Sequence, residues 1–133
     1  GQRAPLLVPL VEEGWITGEV PRLAVERYLK PLVDAEVSVL VLGCTHYPLL
    51  KDLISDVANS MAGKAIRVVD GAQATALMVR DLLHERDLAA PARQGTLQLL
   101  VTDLPASFAE SAARFLGEEI EQVTQVDLGA PKR

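Results

Sequence analysis

The sequence has few of the residues that mark disulfide-rich, membrane-spanning or nucleic-acid-binding proteins. One cysteine among 133 residues excludes an internal disulfide framework and fits a reducing compartment. No apolar run approaches the roughly 18 residues of a membrane span, and residues 1–10 lack the order of a signal peptide. The net charge is -5 and no basic stripe is present, so nucleic acid is not an expected partner. We therefore expect a cytoplasmic protein that binds neither membranes nor nucleic acid.

The apolar residues, 49% of the chain, are arranged in an alternating pattern. Runs near-continuous in Val, Leu and Ile are typical of parallel strands that helices cover on both faces, and apolar residues spaced by three and four indicate helices. The pattern therefore predicts an α/β fold with an open parallel-type sheet flanked by helices. The predicted strands are residues 6–11, 37–42, 65–69, 97–101 and 122–128, and the predicted helices are residues 20–33, 49–61, 72–84 and 105–116.

The segment Gly43-Cys44-Thr45-His46-Tyr47-Pro48 lies where ligand sites form in a parallel sheet, between a strand end and a helix start. Pro48 suits the first turn of the following helix, with Thr45 or His46 at its cap. The helix N-terminus beside Cys44 would favour the thiolate form. His46 could exchange a proton with this thiol, and Thr45 could help to seat a carboxylate ligand.

Other interpretations of Cys44 compete with a reactive thiol. A lone cysteine after a strand is often a buried core residue, although a core cysteine requires neither the polar Thr-His pair nor the helix start. One cysteine and two histidines are too few for a closed zinc site, so no metal is expected. A cysteine phosphatase would require arginine where Leu50 stands. A papain-like hydrolase usually has its histidine far along the chain, but His84 lies toward the end of a polar helix and is assigned no role.

A second candidate is Glu12, which follows the predicted strand at residues 6–11. A carboxylate at that end of a sheet could hold a proton or orient an imidazole. The alternative interpretation is an acidic turn, Glu12 and Glu13, that ends the strand without chemistry.

The string LVLGCTHYPLL, residues 40–50, resembles the second cysteine motif of the glutamate racemases, in the aspartate/glutamate racemase superfamily. The string PLLVPLVEEG, residues 5–14, is similar to another segment of that family. Weaker similarities follow at residues 69–71, 101–108 and 115–117, so that the resemblance spans nearly the whole chain. Aspartate racemases usually have an acidic residue where His46 stands, which favours glutamate. Asp70 and Thr75 are assigned no catalytic role.

The resemblance implies interconversion of L- and D-glutamate by two opposed cysteines, without pyridoxal phosphate, metal or other cofactor, to supply D-glutamate for peptidoglycan. Carried over by position, Cys44 resembles the thiol that serves the L-glutamate face. His46 would be its proton-handling neighbour and Glu12 an assisting acid. Thr45, together with Cys44, would contact the substrate.

The resemblance also implies that this chain is the C-terminal half of a two-lobe enzyme. Residues 1–69 would complete the second α/β lobe, and residues 70–133 would return to the first lobe, leaving two incomplete sheets. The chain starts with Gly1 rather than Met, which fits a piece of a longer protein. The expected partners are glutamate, the N-terminal half with the other cysteine, and a second copy in a homodimer. We expect no racemisation by this chain alone. The alternatives are a truncated, non-catalytic module that binds a small dicarboxylate or a partner, and a one-thiol enzyme acting on another carboxylate.

Overall fold

The computed structural model describes residues 1–91, 95–103, 105–120 and 122–129. These residues form an α/β structure, as the alternating pattern predicted. None of the helices in these ranges is long and apolar enough to cross a membrane. A short 3-10 helix at Tyr47–Leu50 precedes α3. The other elements, in chain order, are α1 (Leu7–Glu12), α2 (Glu19–Asp34), β1 (Val39–Leu42), α3 (Lys51–Ala62), β2 (Arg67–Asp70), α4 (Ala72–Glu85), β3 (Leu99–Val101), α5 (Pro105–Leu116) and β4 (Val123–Gln125).

The described strands form two separate sheets of two parallel strands each. β1 pairs with β2 from Val39 opposite Arg67 to Leu42 opposite Asp70. β3 pairs with β4 from Leu99 opposite Val123 onward. By its internal contacts the chain divides into two compact units, Gly1–Ala89 and Ala90–Arg133. The expectation of an α/β fold with parallel strands is therefore confirmed.

The core of the first unit lies between α1, α2, α3 and one face of β1. Helices α2 and α3 pack against each other, and α3 packs against β2. The left-handed backbone of Gly63, at φ +61°, ends α3 in a conformation that glycine adopts without steric cost. The buried members of this core are Ala4, Leu7, Val11, Val25, Leu29, Leu40, Leu50, Ile54, Val57, Ala58 and Ile66.

Two apolar surfaces of the first unit remain uncovered. Successive strand residues point to opposite faces, so the exposed Val39 and Val41 lie on the face of β1 opposite the buried Leu40. Helix α4 buries no residue, although it carries several large apolar side chains. Those that are exposed are Leu77, Met78, Val79, Leu82 and Leu83.

The second unit is much less buried. Its helix α5 packs against β4, and Ala112 is its one buried apolar residue among those described. Phe108, Phe115 and Leu116 of α5 are each at least 38% exposed.

The predicted strand at residues 6–11 is wrong, because this segment forms helix α1. Pro9 explains the difference, since proline lacks the N–H that a central strand needs. In α1, Pro9 occupies the first turn, where no intrahelical partner is available for its N–H. Leu7 and Val11, four residues apart, then face the core together.

Candidate active site

The predicted position of Cys44 is confirmed, because it follows parallel strand β1 and precedes a helix start. Gly43 ends the strand, and the 3-10 helix begins three residues after Cys44 with Pro48 in its first turn. His46 occupies the N-cap position, but its side chain makes no capping hydrogen bond. Leu50, which has no exposed surface, fixes the end of this segment in the core.

His46 is the centre of the contacts at this site. Its Nδ1 lies 3.9 Å from the sulfur of Cys44, within the range of a weak sulfur hydrogen bond, and 3.4 Å from Oγ1 of Thr45. Its Nε2 lies 3.6 Å from Oε1 of Glu12. The two ring nitrogens therefore face different groups, the thiol and hydroxyl on one side and the carboxylate on the other. His46 is 28% exposed and Cys44 is half-buried.

Glu12 reaches His46 from the last residue of α1, and not from a strand end as the sequence suggested. Its carboxylate is 59% exposed, so that water screens its attraction to a protonated imidazole. At 3.6 Å the pair is longer than an ordinary N–H···O hydrogen bond of about 2.7–3.2 Å. The carboxylate of Glu12 therefore faces the ring nitrogen of His46 that points away from Cys44.

Two tyrosines, which the sequence did not single out, form hydrogen bonds with residues at the start of α1, Tyr47 from the Cys44 segment and Tyr28 from α2. The hydroxyl of Tyr47 donates a 3.2 Å hydrogen bond to the carbonyl oxygen of Ala4, and the N–H of Leu6 donates to the hydroxyl of Tyr28 at 3.3 Å. Burial raises the pKa of Tyr47, and the charges that Cys44 and Tyr28 carry when ionised raise it further. The Tyr47 bond joins the start of the helix with Glu12 to the segment with His46, and the Tyr28 bond joins it to α2.

Lys51 and Asp70 form a further contact, which no local sequence pattern indicates. The Nζ of Lys51, at the start of α3, lies 2.7 Å from Oδ2 of Asp70, at the end of β2. The hydrogen bond from Lys51 lowers the pKa of Asp70, and a hydrogen bond from the backbone N–H of Ala72 lowers it further. The position of Asp70 at the carboxyl end of a predicted strand could have marked it as a candidate. Nothing in the local sequence identifies Lys51 as its partner.

The structure thus brings together all four residues predicted for the site: Glu12, Cys44, Thr45 and His46. His84 and Thr75 lie elsewhere, on the exposed helix α4. No cluster of three or more His, Cys, Asp or Glu side chains suited to a metal ion occurs in the described parts of the chain. The arrangement offers a cysteine that can give a proton as the thiol or accept one as the thiolate, with an imidazole beside it and a carboxylate on the far side of the imidazole.

Known proteins resemble the chain over almost its whole length. Glutamate racemase from Geobacter metallireducens is 44% identical over 129 residues, which cover 96% of this chain and 46% of the relative. Glutamate racemase from Neisseria meningitidis serogroup C is 46% identical, with the same coverage. No protein-family profile matches the chain. The chain therefore spans about half the length of the relatives it matches.

Solved structures agree with these sequence matches. Glutamate racemase from Francisella tularensis in complex with D-glutamate superposes with a TM-score of 0.81 at 29% identity, over 92% of this chain and 44% of that one. Glutamate racemase from Thermus thermophilus in complex with beta-chloro-D-alanine gives a TM-score of 0.81 at 38% identity, over 96% and 47%. The partial coverage is consistent with the C-terminal half that the motifs at residues 5–14 and 40–50 indicated. The chain belongs to the glutamate racemase family and corresponds to about half of a family member.

Proposed function

We propose that this chain provides one of the two proton-transfer groups of a cofactor-independent glutamate racemase. The observation that carries the proposal is the contact of His46 with both Cys44 and Glu12, within the motif that resembles the family's second cysteine motif. The substrate would be L- or D-glutamate. The product D-glutamate would supply peptidoglycan synthesis, in the cytoplasm.

The proposed reaction needs an acid and a base on opposite faces of the α-carbon. The Cys44 thiolate removes the α-proton of L-glutamate, so that an S–H bond forms, the C–H bond breaks and the electron pair moves onto the α-carboxylate. A second thiol then gives its proton to the opposite face and becomes the thiolate. In the reverse direction the second thiolate takes the α-proton of D-glutamate and Cys44 delivers one.

His46 and Glu12 would assist the proton transfers of Cys44. The Nδ1 atom of His46 can take the proton of the thiol before abstraction, and the Nε2 atom faces the carboxylate of Glu12. Thr45 is exposed beside them, and its hydroxyl and backbone would contact the charged groups of the substrate. Metal and pyridoxal phosphate take no part in this proposal.

The second thiol must come from outside these residues, because the 133-residue sequence contains one cysteine. We propose that it belongs to the N-terminal half of the same enzyme, and that residues 1–69 complete its second lobe while residues 70–133 return to the first. The uncovered face of β1 and the exposed side of α4 support this, since apolar surfaces of that kind are usually covered by other parts of a protein. Assembly as a homodimer is part of the same proposal.

A chimera tests the function directly. The 129 matched residues of the Geobacter metallireducens racemase would be replaced by this chain, and racemisation followed in both directions by circular dichroism. We expect activity in the chimera and a loss of at least about 100-fold with Cys44→Ser, because general acid–base catalysis contributes roughly 10²–10⁴-fold. An active chimera whose Cys44→Ser variant still racemises would disprove the role of this thiol.

The roles of His46 and Glu12 have matched controls in the same chimera. His46→Asn and Glu12→Gln should lower kcat in both directions, whereas His84→Asn and Glu13→Gln should not. His84 lies on exposed α4, and Glu13 is the exposed neighbour of Glu12. Equal effects of Glu12→Gln and Glu13→Gln would remove Glu12 from the proposal.

The presence of a single thiol favours one second candidate, a non-catalytic module that binds a small dicarboxylate. Such a module would bind glutamate without exchanging its α-proton. Titration calorimetry of the chain with L- and D-glutamate tests it, and the absence of binding would rule it out.

A further inference from the structure

Asp70 makes three contacts at the end of β2. Through the parallel register it lies opposite Leu42, two residues before Cys44. Its Oδ2 accepts a hydrogen bond from Lys51, and its Oδ1 accepts one from the N–H of Ala72 at 3.0 Å. The side chain of Asp70 is 13% exposed and that of Lys51 is 43% exposed.

The residues that flank the Cys44 segment on either side, Leu42 and Lys51, are therefore both neighbours of Asp70. The segment 43–50 starts directly after Leu42, which the strand register places beside Asp70, and it ends directly before Lys51, which is ion-paired with Asp70. Within the segment, the backbone bonds are short-range turns, from the N–H of Tyr47 to the carbonyl of Cys44 and from the N–H of Leu49 to that of His46. Such turns do not fix the segment relative to the sheet.

We propose that Asp70 is a positioning residue, which with Lys51 clasps segment 43–50 and thereby sets the place of Cys44 and His46. This inference rests on the proposed function for its catalytic meaning. Leu50 and Tyr47 anchor the same segment to the core and to Ala4. Asp70 differs from them because it connects the segment to the sheet at both of its ends.

The clasp can be tested on the 133-residue chain without any substrate. Asp70→Asn and Lys51→Met each remove the ion pair, and Lys51→Arg keeps a cation in its place. Asp34→Asn is the matched control, because it removes an aspartate–lysine pair with Lys30 at 3.1 Å within α2. The chain contains two histidines, so the ring signals of His46 can be followed by proton–carbon NMR with His84 as an internal reference.

We expect Asp70→Asn and Lys51→Met to move the His46 signals in the same direction while those of His84 stay in place. Amide exchange at Tyr47 and Leu49 should become about fivefold faster in both, as the loss of one well-formed ion pair suggests. Lys51→Arg should restore the His46 signals, and Asp34→Asn should change neither observable. Combining Asp70→Asn with Lys51→Met should add little to either single change.

A lower unfolding temperature in Asp70→Asn, with the His46 signals unchanged, would overturn the clasp. The proposed function would survive that result, because it is tested separately by Cys44→Ser in the chimera. In the chimera the clasp further predicts that Asp70→Asn lowers kcat and leaves KM nearly unchanged, since it displaces a proton-transfer group rather than removing a substrate contact. A change in KM alone would also contradict it.

Discussion

Residues 4–66 and residues 72–129 are built from the same kinds of element, yet they differ greatly in burial. Each part contains parallel-strand residues and helices of 12 or more residues. Every buried apolar side chain of the described chain lies in the first part except Ala112. The candidate site also lies in the first part. A formed core therefore supports the Cys44 segment within this chain, whereas the described residues of the second part bury little apolar surface.

Helices α3 and α4, one from each part, show the same contrast in burial. Helix α3 buries Ile54, Val57 and Ala58 against the core, whereas α4 buries nothing, although both carry apolar residues at helical spacing. Amphipathic spacing thus reveals that a helix has a face to bury, but it does not reveal whether the surface that buries it belongs to the same segment.

The largest expected effect is a difference in the free energy of unfolding between two leucine-to-alanine substitutions, one in each part. Leu50→Ala should lower the free energy of unfolding by about 2–5 kcal/mol, because it leaves a cavity at a fully buried position. Leu82→Ala, at a position 42% exposed on α4, should change it by less than about 0.5 kcal/mol. Urea denaturation measures both. Equal losses of stability in the two variants would contradict the difference in burial between the two parts.

The next largest effect is a difference between the two strand pairs in how often their backbone hydrogen bonds open. Backbone amides of the β1–β2 pair should exchange with heavy water at least about tenfold more slowly than those of the β3–β4 pair, since the first pair is covered by the core on one face. Exchange followed by NMR compares them within one sample. Similar rates in the two pairs would mean that burial does not control their stability.

A smaller effect is expected from the two tyrosine hydrogen bonds at the start of α1. Tyr47→Phe removes a part-buried hydrogen bond to Ala4 and should cost about 1 kcal/mol. Tyr28→Phe removes an exposed bond from Leu6 that water can replace, and should cost less than about 0.5 kcal/mol. Thermal unfolding monitored by circular dichroism tests the order of the two. A larger loss of stability from Tyr28→Phe would contradict the prediction that the part-buried bond of Tyr47 contributes more.

The smallest expected effect is a pH dependence that originates at Asp70. Its pKa is lowered in the folded chain, so its carboxylate stabilises the fold fully above the unfolded value of about 3.9, and this contribution is lost as pH falls through the lower folded value. The difference in stability between the unchanged chain and Asp70→Asn should therefore shrink as pH falls from 5 to about 2.5. A difference that stays constant would exclude ionisation as its cause.

Much of the fold and site could be predicted because the signals were local. The run at residues 37–42 and the Gly43–Pro48 segment carry their own strand, turn and helix-start signals, and β1 and the 3-10 helix appear there. The run at residues 6–11 failed because a short apolar segment has no periodicity that separates a strand from a buried helix. Glu12 still lies beside His46, although it does so from the end of a helix.

The remaining features depend on contacts between distant parts of the sequence. Lys51 and Asp70 are 19 residues apart, and Tyr47 and Ala4 are 43 apart, so no local pattern pairs them. The exposure of α4 could not be predicted either, because the spacing of its apolar residues resembles that of α3.

The central claim is that this chain carries one thiol of a two-thiol racemase. Proton NMR of L-glutamate and of D-glutamate in heavy water, each with this chain and with the chimera, tests it most directly. We predict that neither α-proton signal decays with the chain alone and that both decay with the chimera. Decay of both signals with the 133-residue chain alone would show a second proton-transfer group within these residues and would contradict the claim.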